Sequence, residues 1–136
     1  MENLRCQPRM PEYALAPLEQ PEWSLKPHEL AVQIRARWPD ARVAVEADPN
    51  APTALNALIP FASPTRELGV AMLRTGDYLS LDPAEPDMVA EFATWLVCLI
   101  PDGGPELHIL PKDRWDPMPV ELGTPAAAII DHLSRT

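Results

Sequence analysis

Glycine occurs five times in this chain of 136 residues, histidine three times, and cysteine and lysine twice each; each shortage removes a class of chemistry. No phosphate-cradling loop is available, because the only glycine pair, Gly103-Gly104, is followed by neither a helical pattern nor Lys and Ser/Thr. No serine stands in a Gly-x-Ser-x-Gly elbow. His28, His108 and His132 nowhere fall at the i, i+4 spacing that puts two metal ligands on one helix face. Glu106 and His108, two apart in a strand pattern, point the same way and with Asp113 come nearest to a ligand set, but no third ligand sits at a fixed spacing. No metal, no cofactor and no catalytic residue is therefore expected.

Two cysteines are too few for the disulfide framework of a secreted domain this size. Cys6 lies in a Pro-rich stretch; Cys98 lies in an apolar helical pattern and reads as a small core or boundary residue, with nothing basic within a turn to favour its thiolate. The longest apolar run, Trp95–Ile100, is far short of the ~20 residues a bilayer requires. Met1 to Gln20 is broken by charges and prolines, so no secretory core is expected and the expected location is cytoplasmic. The most informative shortage is positional: between Thr75 and Pro111 there is no Lys or Arg.

That same stretch carries seven carboxylates: Asp77, Asp82, Glu85, Asp87, Glu91, Asp102 and Glu106. The net charge of -9 falls almost entirely there, with -7 for residues 75–111 and -1 on either side. Such a field attracts cations and repels nucleic acid and anionic lipid, so neither a nucleic-acid partner nor a membrane is expected. The only local group of cations, Arg35, Arg37 and Arg42, reads as a solvated face beside Asp40 and Glu46.

Prolines at 8, 11, 17 and 21 mark residues 1–26 as an extended leader, with Tyr13, Leu15, Leu18, Trp23 and Leu25 lying along the domain surface or on a partner. Residues 27–136 read as a single α+β domain. A helix begins at Pro27 with Leu30, Ile34 and Trp38 on one stripe, and ends before Pro39. Strands follow at Val43–Ala47, Thr53–Phe61, Glu67–Leu73 and Tyr78–Leu81, with Pro60 arguing for an edge position or an early exit. Gly76 sits in the hairpin turn that joins the last two. A second helix starts at Pro86, buries Met88, Val89, Phe92, Leu96, Leu99 and Ile100, and stops at Pro101. Strands at Glu106–Leu110 and Val120–Leu122 precede a third helix, with Thr124 as its N-cap and Pro125 in its first turn. Short connections imply an antiparallel sheet of about four to six strands with helices packed on one face.

Helix two forgoes the Lys or Arg at i+4 that usually accompanies Glu, and sets Asp87 and Glu91 against one another. A cationic protein surface would offset that repulsion. Asp77, Asp82, Glu85, Asp87 and Glu91, with Tyr78 and Trp95 as aromatic anchors, are the expected partner-binding residues.

Pro27-His28-Glu29-Leu30 leading to Arg37-Trp38-Pro39, then Phe92-Ala93-x-Trp95 with Pro101 beyond, resembles small acidic proteins of GC-rich bacteria over residues 23–133. In size, acidity and element order the chain is also similar to the immunity proteins of bacterial toxin systems. That resemblance implies a non-enzymatic inhibitor whose acidic surface occludes a basic toxin domain or secreted effector. It is similar too to the small secretion chaperones, which implies a homodimer with an exposed apolar groove, although the fourth short strand departs from their order. A monomer or homodimer is compatible with these readings, and a small enzyme with a cryptic site is the remaining alternative.

Overall fold

A computed structural model of the chain describes residues 13–17, 26–61, 63–74, 78–100, 106–111 and 115–134. Seven strands and three helices follow in the order β1 (Tyr13–Pro17), α1 (Pro27–Arg37), β2 (Arg42–Val45), β3 (Thr53–Phe61), β4 (Ser63–Leu73), β5 (Leu79–Leu81), α2 (Pro86–Val97), β6 (Leu107–Pro111), β7 (Met118–Val120) and α3 (Ala126–Leu133). The strands form one sheet in the order β2-β3-β4-β5-β1-β6-β7, with antiparallel pairing throughout. This is the α+β domain that the periodicities imply, with one strand more than the upper bound expected.

The extra strand is β1, inside the stretch expected to be a leader. It is buried along its length and lies between β5 and β6, Tyr13 pairing with Leu81 on one side and Pro111 on the other. The division expected at residue 26 would thus cut a central strand from its own sheet. The physical reason lies in where the prolines fall. Pro11 and Pro17 bracket Tyr13-Ala14-Leu15-Ala16 without interrupting it, so β1 itself keeps every N–H until its last residue.

One alternate set of strand positions makes the core: Leu15, Leu55, Ala57, Ile59, Leu68, Val70, Met72, Leu79, Leu81, Leu107, Ile109 and Val120 are buried. Leu30 and Ile34 of α1, Met88, Phe92 and Leu96 of α2, and Ile129 and Leu133 of α3 close over the same side in one cluster. The opposite set forms a cross-strand row, Ala44, Asn56, Ala71, Ser80, Ala14 and Leu110, on the face that the helices leave open.

Three local details differ from expectation for identifiable reasons. Pro60 lies in an interior strand, but β2 reaches only as far as Leu58, so beyond it β3 has the edge environment that a proline tolerates. α2 ends at Val97, and the chain tightens so that the N–H groups of Cys98, Leu99 and Ile100 donate to carbonyls three residues back. Thr124 does not cap α3; Pro125 holds that place, and the Thr124 hydroxyl accepts from the Glu121 N–H at 2.9 Å in the preceding turn. The turn around Gly76 lies outside the described residues.

Gly69 has a reason the sequence did not disclose. The segment after β5 crosses directly over it, with the Asp82 N–H donating to the Gly69 carbonyl and the Gly69 N–H to the Pro83 carbonyl, both at 2.9 Å. A Cβ at Gly69 would collide with the Asp82 carbonyl and come within 2.9 Å of Pro83 Cδ.

Candidate functional site

α2 starts where the sequence puts it because Pro86 supplies a preset φ at the first helical position, and Glu85 and Asp87 suit the positive end of the helix dipole. Glu85 occupies the N-cap position without its side chain capping the helix. Its carboxylate turns instead to Arg66 on β4, whose Nη2 donates to Glu85 Oε1 at 3.1 Å. The same nitrogen lies 2.8 and 2.9 Å from the two oxygens of Asp87. One guanidinium is thus held between two carboxylates, and the Asp87 hydrogen bond, aided by Glu85, keeps it more firmly protonated than an ordinary arginine.

One turn further along the same helix, Glu91 accepts from Arg37 Nη2 at 3.0 Å. Arg37 also lies 4.8 Å above the ring of Trp38. Beneath this pair is an aromatic group: Trp38 packs edge-on against Trp95 at 4.9 Å and stacks on Phe92 at 5.9 Å. Trp95 is half-buried in that group.

The expected binding residues therefore divide. Glu85 and Asp87 come together on Arg66, and Glu91 and Trp95 share the next turn. Asp82 stands where the chain passes Gly69, and Tyr78 is half-buried before β5 with its carbonyl 3.5 Å from the Leu73 N–H. Asp77 lies outside the described residues. Arg66 and Arg37 are the participants that sequence reasoning missed, since they stand 19 to 54 residues from the acids they meet. No i, i+4 rule reaches that far.

Arg35, Arg37 and Arg42 do not form a common basic face. Arg35 donates to the Val43 carbonyl at 3.0 Å, Arg37 goes to Glu91, and Arg42 pairs with Glu67 at 2.9 Å. β2 and β7 are the outer strands of the sheet, and Pro119, paired with His108 of β6, has no N–H to donate.

Between Arg42 and Asp82 the open face holds a shallow groove of about 450 Å³ floored by Ala44, Asn56, Leu58, Gly69 and Ala71. His108 lies on the same face with its Nε2 3.6 Å from Glu106, and its Nδ1 is buried with no hydrogen-bond partner among the described residues. The strand spacing placed this pair correctly, although His108 is more enclosed than a surface residue. Asp113 lies outside the described residues, and among those described no group of three or more His, Cys, Asp or Glu is placed to hold a metal ion. His132 of α3 lies 3.1 Å from the Asp116 carbonyl and 3.3 Å from its carboxylate. Cys98 is exposed rather than at the core, with its thiol 3.5 Å from the Thr94 carbonyl. Among the described residues no helix is long and apolar enough to cross a membrane.

Comparison of the chain with family models, with curated proteins and with solved structures gives no match.

Proposed function

We propose that the protein is a cytoplasmic, non-enzymatic protein-binding module, similar in kind to the immunity proteins of toxin systems, whose acidic surface along α2 meets a basic partner protein. The observation that carries this reading is the seat of Arg66. Glu85 and Asp87 together hold one nitrogen of the Arg66 guanidinium, so this acidic pair is shaped to accept an arginine, here the chain's own. Residues 75–111 contribute -7 to the formal charge, a source of negative field, and among the described residues Arg66 and Arg37 pair with Glu85, Asp87 and Glu91 of that stretch. Such a field raises association rates by roughly 10- to 1000-fold at low salt.

The test is calorimetric titration with an arginine-rich peptide as the basic stand-in, over a series of salt concentrations, with D87N/E91Q beside the unmodified chain. Binding to the variant should be weaker by at least about tenfold at low salt, the value of one lost charge-assisted contact, and less dependent on salt. Its circular dichroism should be unchanged. Equal affinity and equal salt dependence would dismiss the assignment.

A further inference from the structure

We draw no further inference here: the strongest candidate, the shallow groove between Arg42 and Asp82 on the sheet face that the helices leave open, is an unpartnered surface of small side chains with nothing in the structure to show what covers it.

Discussion

The two sides of α2 differ in almost every physical respect. Toward the sheet, Met88, Val89, Phe92 and Leu96 are fully enclosed. Outward, Asp87 and Glu91 stand about half exposed in ion pairs with Arg66 and Arg37. Burial of apolar surface is worth roughly 25 cal/mol per Å², whereas exposed ion pairs contribute about 0–1 kcal/mol. The inner side therefore holds the helix in place, and the outer side is free to be shaped by something other than stability. Changes on one side should leave the property of the other nearly untouched.

The largest expected effect is on the inner side. Phe92→Ala should lower unfolding stability by about 3–5 kcal/mol in a denaturant titration, the range for removing a buried aromatic. Leu15→Ala extends the comparison to β1. As a central strand residue with no exposure it should lose about 2–5 kcal/mol, whereas a strand merely laid on the surface would lose well under that. Gly69→Ala should cost about 1–3 kcal/mol through overpacking, because the atoms it meets are backbone and a proline ring, which have little freedom to retreat. On the outer side, Glu91→Gln should change stability by no more than about 1 kcal/mol while reducing affinity for a basic peptide. A stability loss as large as that of Phe92→Ala would erase the distinction between the two sides. The pH dependence separates them too. A cation whose folded-state pKa is raised contributes stability below its unfolded value and loses it only as pH climbs through the folded value. The Arg66 pairing should thus persist across neutral and moderately alkaline solution, which thermal melts between pH 7 and 9 would check.

The same division governs what could be read in the sequence. α2 was legible because Pro86, the 3.6-residue recurrence from Met88 to Leu96 and the proline at 101 all lie within one local window. β3 was recovered to the residue for a similar reason, an apolar run set between turn-forming segments. β1 was not. Its alternation of Tyr13 and Leu15 with Ala14 and Ala16 spans only four residues among prolines, and its place between β5 and β6 depends on partners more than 60 residues away. The acidic stretch shows the converse. Its composition was plain, but the arginines that lie across part of it come from β4 and α1, and only the folded topology brings them there.

Titration of the Arg66→Gln variant with an arginine-rich peptide tests the binding role most directly, because it empties the seat between Glu85 and Asp87 without removing an acid. Tighter binding than the unmodified chain, by a few-fold or more at low salt, is the expected result. Unchanged affinity together with a lowered melting temperature would mean that these carboxylates serve only to anchor Arg66.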